Sequence, residues 1–352
     1  MTNPYATIKD FHLWRRSVAR GETHLFDPVV SPRFHLGKTT KIATAGSCFA
    51  QHISRQLQRI GFHYFVPESG LELTSEERGR RNFGVFSARY GNLYTARQLL
   101  QLFEEAFEGR EPAEKAWLRD DGRYVDPYRP QIEPDGFETV EAVIEARGRH
   151  LSAVRSVFLD ADVLVFTLGL TEAWRSRVDG SVFPLAPGVV AGSFDDSRHE
   201  FINFKVGDVD LDLSVFLEKL KQKNPLVKVL LTVSPVPLIA TYEKRNVLVS
   251  TTYSKSVLRV AADQIISRFD WVDYFPSYEI ITGSYAGGLY YEADYREVNS
   301  RGVAHAMRCF VRNYASRASS EAPAELALPR ETSDTAHRDI ICDEEAIDAI
   351  RV

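Results

Sequence analysis

The chain has 352 residues, 44% hydrophobic and 26% charged, with a net charge of −5, a balance that suits a soluble globular fold with a sizeable core. Lys and Arg are dispersed rather than massed on one segment, which argues against a polyanion-binding face and against a nucleic-acid partner. Three cysteines without CxxC spacing (Cys48, Cys309 and Cys342) encode neither a disulfide framework nor a zinc site, and no cofactor is expected.

No run approaches the roughly 18 apolar residues of a membrane span. Met1 to Arg20 carries Asp10, Arg15, Arg16 and Arg20 and lacks an apolar stretch of signal-peptide type, so a cytoplasmic location is expected. No feature sets an oligomeric state.

Along the chain, continuous apolar runs alternate with helical periodicity. Lys41 to Ala45 reads as a buried strand, and Ala45-Gly46-Ser47 leads from it into a helical pattern over Gln51 to Leu57. Thr95 to Phe107 places Leu99, Leu102, Phe103 and Ala106 on one face, with Thr95 and Gln98 at capping-box spacing. Asp162 to Leu168 is the second strand. Leu213, Phe216, Leu217 and Leu220 mark a helix that Asn224-Pro225 stops, and Lys228 to Val233 is the third strand. Val257, Leu258, Ala261, Ile265 and Phe269 mark another helix, Trp271 to Phe275 the fourth strand, and Val303, Met307, Phe310 and Val311 the last long helix. The alternation predicts an α/β fold, a three-layer α/β/α sandwich with a central, mainly parallel sheet.

Two stretches interrupt it, Gly109 to Phe137 and Arg175 to Phe204, placed to act as lids or substrate walls. The organisation expected is an extension over 1–33, a domain over 34–315 with insertions near 109–137 and 175–204, and a tail over 316–352. Residues 316–339 read as mobile, and Ile340 to Ile350 as one short acidic helix that docks on its own domain or on a neighbour.

A strand end, a glycine and a serine at the first turn of a helix present a hydroxyl at the open edge of a sheet. The bland alternative is a serine N-cap after a buried strand. The longer string Gly46-Ser47-Cys48-Phe49-Ala50 resembles the name motif of the GSCFA family, a branch similar to the SGNH (GDSL-like) serine hydrolases. Four further blocks resemble it in order: Tyr90 to Leu99, Phe166 to Trp174, Leu231 to Pro237 and Tyr274 to Glu279. The resemblance covers about residues 34–312 and implies an SGNH-hydrolase-like, flavodoxin-like topology.

It also implies roles. Ser47 would be the nucleophile, and the oxyanion donors would be the Ser47 amide, Gly91 and an asparagine from the third block. That block, Gly169-Leu170-Thr171-Glu172, carries Thr171 where asparagine is usual, and Asn92 offers an amide instead. The Asp-x-x-His of SGNH enzymes reads Asp294-Tyr295-Arg296-Glu297 here. Two readings follow: His305 is the base, oriented by Asp294 or Glu297, or Glu297 is itself the base with its pKa raised by burial. His52 lies roughly 140° around the helix from Ser47 and is expected to pack beneath the strand.

Glu172, Ser234 at a strand's carboxyl edge and Lys255, with Arg259 one turn later, are candidates for binding substrate. Arg89 is a plausible partner for Glu279. The function expected is a serine-dependent acyl esterase or acyltransferase, the resemblance implying a carbohydrate or cell-envelope ester as the small-molecule partner. The rivals are a non-catalytic ligand-binding protein on a degraded hydrolase fold and a biosynthetic acyl-transfer enzyme that uses the same serine chemistry on a small molecule.

Overall fold

The computed structural model describes residues 3–19, 21–316 and 342–349. In chain order the helices and strands are α1 (Trp14–Ser17), β1 (Ile42–Gly46), α2 (Phe49–Arg59), α3 (Ser75–Arg80), α4 (Ala96–Phe107), β2 (Trp117–Leu118), β3 (Tyr124–Val125) and α5 (Val140–Asp160). They continue with β4 (Val163–Leu168), β5 (Glu172–Ser176), β6 (Val182–Phe183), β7 (His199–Asn203), α6 (Val206–Lys223), β8 (Lys228–Val233) and α7 (Val247–Arg268). Last come β9 (Val272–Tyr274), α8 (Ser277–Thr282), α9 (Ser300–Tyr314) and α10 (Glu345–Ala349). The chain forms two compact units, Lys38–Tyr274 with Ala336–Val352, and Met1–Gly37 with Phe275–Thr335.

The larger unit is built on a parallel sheet of order β1-β4-β8-β9 flanked by helices, the three-layer α/β/α arrangement expected from the alternating pattern. β1 and β4 are buried at every position, as strands covered on both faces must be. Beyond β1 an outer strand is reduced to one parallel bridge, Ile42 to Tyr64, closed by Ile42 N–H on His63 O and Phe65 N–H on Ile42 O. Counting that bridge, the sheet has the order 2-1-3-4-5 of flavodoxin-like folds. The connections diverge between β1 and β4, and their carboxyl ends border the crevice where open α/β sheets bind ligands.

α4 opens with the capping box the sequence encodes: Thr95 Oγ1 accepts from the Gln98 amide and Gln98 Oε1 from the Thr95 amide. Phe103, Phe158 and Phe216, one each from α4, α5 and α6, meet at ring-centroid distances of 5.6–5.9 Å and tie these helices together.

Both inserted stretches are ordered. β2 and β3 pair as a short antiparallel ribbon, and β6-β5-β7 form a separate antiparallel sheet. They share a small core of Trp117, Val125, Phe183 and Ala191, with Tyr128 and Trp174 against it. The Gly192 amide also donates to Leu118 O.

In the smaller unit, residues grouped by sequence as an N-terminal extension pack with later ones. Asn313 Nδ2 donates to Asp27 Oδ2 at 2.8 Å, and Leu36, just beyond that extension, pairs with Ala315 next to the end of α9. The mobile tail expected over 316–339 lies outside the described residues apart from Ser316. Within the acidic helix expected over 340–350, α10 covers Glu345–Ala349.

Candidate active site

Ser47 follows β1 directly. Gly46 has φ +129°, and a Cβ there would lie 2.4 Å from Thr167 O and 2.6 Å from Thr167 N on β4, so only glycine allows the chain to pass this close before turning into α2. α2 starts at Phe49 with no side-chain cap. Ser47 is 2% exposed, and its Oγ has no hydrogen-bond partner among the described residues. The hydroxyl is therefore not an N-cap; burying it unpaired costs on the order of 1–3 kcal/mol.

The segment after β4 closes on it. A Cβ on Gly169 would lie 3.0 Å from Ser47 Cβ and 3.1 Å from both Tyr94 Cδ1 and Tyr94 O. Tyr94 O accepts from the Gly169 and Leu170 amides, and Lys255, 2% exposed, donates from Nζ to Gly169 O at 2.5 Å. Lys255 is thus a buried strut under the Gly169 turn rather than a solvated surface lysine. Replacing Gly169 with alanine is expected to push Ser47 and Tyr94 apart by a few tenths of an ångström. Serine labelling should slow at least tenfold at a stability cost of about 1–3 kcal/mol, read by labelling rate and urea midpoint.

The expected oxyanion donors are largely committed. The Ser47 amide donates to Thr167 O at 3.0 Å, continuing the β1–β4 ladder, so it does not face a ligand. Thr171 spends its hydroxyl on Asn203 Oδ1 at 2.7 Å; it does not stand in for the missing asparagine. The Gly91 amide makes no hydrogen bond among the described residues. Asn92, buried, gives its side-chain amide to Asp343 Oδ2 at 2.9 Å, and its backbone amide also donates to that carboxylate.

The expected bases His305 and Glu297 both belong to the smaller unit. In the smaller unit, His305 is 2% exposed with both ring nitrogens engaged. Phe26 O, 2.6 Å from Nε2, can only accept, so Nε2 carries the proton and Nδ1 accepts from Tyr290 OH at 2.5 Å. Burial lowers its pKa, outweighing the hydrogen bond to Phe26 O, which raises it. Asp294 does not orient it: Asp294 Oδ1 accepts from the Arg296 and Glu297 amides, an exposed Asx turn. Glu297 is exposed rather than buried. His52, pushed down to about 4 by burial and by Arg55, packs against Phe49.

Beside the Gly169 turn opens a cleft of about 570 Å³, lined mainly by apolar and aromatic side chains that include Leu170, Trp174, Phe201, Leu238 and Tyr242. Glu172 also lines it, with its carboxylate accepting from Thr241 Oγ1 and the Tyr242 amide and its pKa raised by burial. The second inserted stretch thus walls a cavity at the sheet's carboxyl edge. Ser234 is tied into its own loop: its amide donates to Leu168 O, and its Oγ accepts from the Val236 amide.

Under the Tyr90-Gly91-Asn92 loop runs a buried charge network. Arg89 pairs with Glu133 at 2.6 Å, not with Glu279, and Arg129 holds Asp126 at 2.7 Å and the Arg89 carbonyl at 3.2 Å. Burial alone would raise Asp126, but Arg147 and Arg129 outweigh it and hold it down to about 2. Since the folded pKa lies below the unfolded 3.8, this stabilisation is present above about pH 4 and lost as pH falls toward 2. Asp126→Asn is expected to flatten that acid limb by about 2 kcal/mol in pH-dependent urea melts.

Sequence comparison accords with the motif. The model of the GSCFA family matches residues 41–310, which span β1 to β9, the stretch from Ser47 to the Gly169 turn, and the cleft walls apart from Glu344 and Ile347. No curated protein matches the chain.

Proposed function

The chain belongs to the GSCFA family, and from that premise we propose that it is a serine-dependent acyl ester hydrolase or acyltransferase with Ser47 as its nucleophile. The observation that carries this reading is the Ser47 hydroxyl: buried, unpaired, at the carboxyl end of β1 beside the switch point of the sheet, and abutting a turn that leads into an apolar cleft. A buried hydroxyl without a partner calls for an explanation, and a catalytic role is one that fits its place at the strand end.

In the reaction proposed, Ser47 Oγ attacks the ester carbonyl, its proton passes to a base, and the alcohol leaves with a proton. Water or an acceptor alcohol then takes the acyl group from Ser47. The Gly91 amide, which has no partner among the described residues, and the Asn92 amides once released from Asp343 are the donors for the oxyanion. Glu172 and the aromatic walls Trp174, Phe201 and Tyr242 bind substrate. Resemblance to SGNH hydrolases favours an acylated carbohydrate or cell-envelope glycan as the ester.

One observation favours a second reading. Among the described residues of the larger unit, no histidine or carboxylate side chain hydrogen-bonds Ser47 Oγ, as befits a binding protein on a degraded hydrolase fold. Incubation with acetylated sugars, with and without a sugar acceptor, separates the alternatives. Free acid alone means hydrolase, acyl transfer means transferase, and sugar binding without turnover supports the second reading.

A further inference from the structure

The C-terminal residues Cys342–Ala349 belong to the larger unit and cross its candidate site. Asp343, 3% exposed, places its carboxylate on the side-chain and backbone amides of Asn92. Its own amide donates to Tyr94 OH at 3.1 Å, and the Tyr94 ring edge is the group that flanks Gly169 beside Ser47. One residue on, Glu344 and then Ile347 form part of the wall of the 570 Å³ apolar cleft. The segment therefore runs from the Asn92 amides to the mouth of the cleft.

The two ends differ in occupancy. Asp343, Gly91, Asn92, Arg89 and Arg129 border a cavity of only about 20 Å³, room for little more than one water. The apolar end stays open. Asn92 gives two donors to one carboxylate. Asp343 is not comfortable there: burial outweighs the Asn92 donors and pushes its pKa up to about 6. A buried carboxylate held by two amides is a displaceable occupant.

We propose that the Asn92 amides form a carboxylate-binding subsite for a ligand with an apolar chain that lies in the adjoining cleft, and that Asp343 occupies this subsite in cis until such a ligand displaces it. The proposal deepens the acyl-transfer reading, on which it rests for the identity of the carboxylate as the acid released from Ser47, but the binding itself needs no turnover. A tethered competitor acts at an effective concentration in the millimolar range, so removing it raises apparent affinity by the reciprocal of the fraction of sites it had left open.

The test is calorimetric titration of the full chain with octanoate. Asp343→Ala and, independently, Ile347→Asp on α10 are expected to tighten octanoate binding at least tenfold, and Asn92→Ala combined with Asp343→Ala is expected to abolish the gain. Unchanged affinity in both single variants, or a gain that survives loss of Asn92, overturns the proposal. Fluorophosphonate labelling of the same samples keeps the two readings apart. Labelled Ser47 with unchanged octanoate affinity sinks the subsite and leaves the acyl transfer. Tighter octanoate binding with an inert Ser47 keeps the subsite and sinks the acyl transfer.

Discussion

Ser47→Ala is expected to abolish acyl turnover and fluorophosphonate labelling, a loss of at least about 10³-fold, while leaving the chain as stable as before or up to about 2 kcal/mol more stable. Both halves follow from one observation. A serine serving as N-cap would lose about 1 kcal/mol on truncation, but α2 has no side-chain cap and the hydroxyl is buried without a partner. Removing it deletes a desolvation penalty and breaks no bond. Urea denaturation beside an activity assay reads both effects. A destabilisation near 1 kcal/mol with turnover intact would make the hydroxyl structural and end its role as nucleophile.

Gly46→Ala is expected to be the most damaging single methyl group in the chain, at about 3–5 kcal/mol. The added carbon would meet backbone rather than a side chain that can swing away, at 2.4 Å from Thr167 O, 2.6 Å from its N and 2.9 Å from its C. It would also force φ +129° on an L-residue, a strain of order 1–3 kcal/mol before any steric overlap. β1 and β4 can relieve the contact only by separating where Gly46 pairs with Thr167 and the Ser47 amide bonds Thr167 O. Against a typical stability of about 5–15 kcal/mol, that loss removes a large share of the folding free energy. A urea midpoint close to the parent's would mean that the strand junction is not held as described.

The parallel sheet was legible because its strands are continuous apolar runs. β8 spans the residues that the pattern picks out, and β1, β4 and β9 differ from it by a residue or two at their ends. Local rules carried the α4 capping box as well. What periodicity does not encode is partnership across distance. Tyr64 completes the sheet order through a single bridge, too short for any run to announce it. β5 and β7, with Glu172, Arg175, His199 and Glu200, are too polar to read as strands until they pair with each other. His305 sits on an apolar helix face, but its tautomer is fixed by Phe26 O, 279 residues away in sequence.

The same limit governs the site. Gly46-Ser47 and the Gly169 turn were readable as a strand-turn-helix motif and a matching block, and both lie at the edge of the sheet. That Thr171 is spent on Asn203, the Ser47 amide on Thr167 O and Asn92 on Asp343 depends on folded neighbours. Asp343 gave one signal, an acidic helix-forming stretch at 340–350 able to dock on its own domain. Its target could not be read, because an aspartate that enters a buried amide pair looks like any surface aspartate in sequence.

Activation of Ser47 is most directly tested by treating the folded full-length chain, and the Asp343→Ala variant whose site is cleared, with a fluorophosphonate probe and locating the adduct by mass spectrometry, with Ser47→Ala as control. The account predicts a single adduct on Ser47, formed faster in the Asp343→Ala chain and absent from the control. Folded samples of both chains that stay unmodified at Ser47 would contradict it.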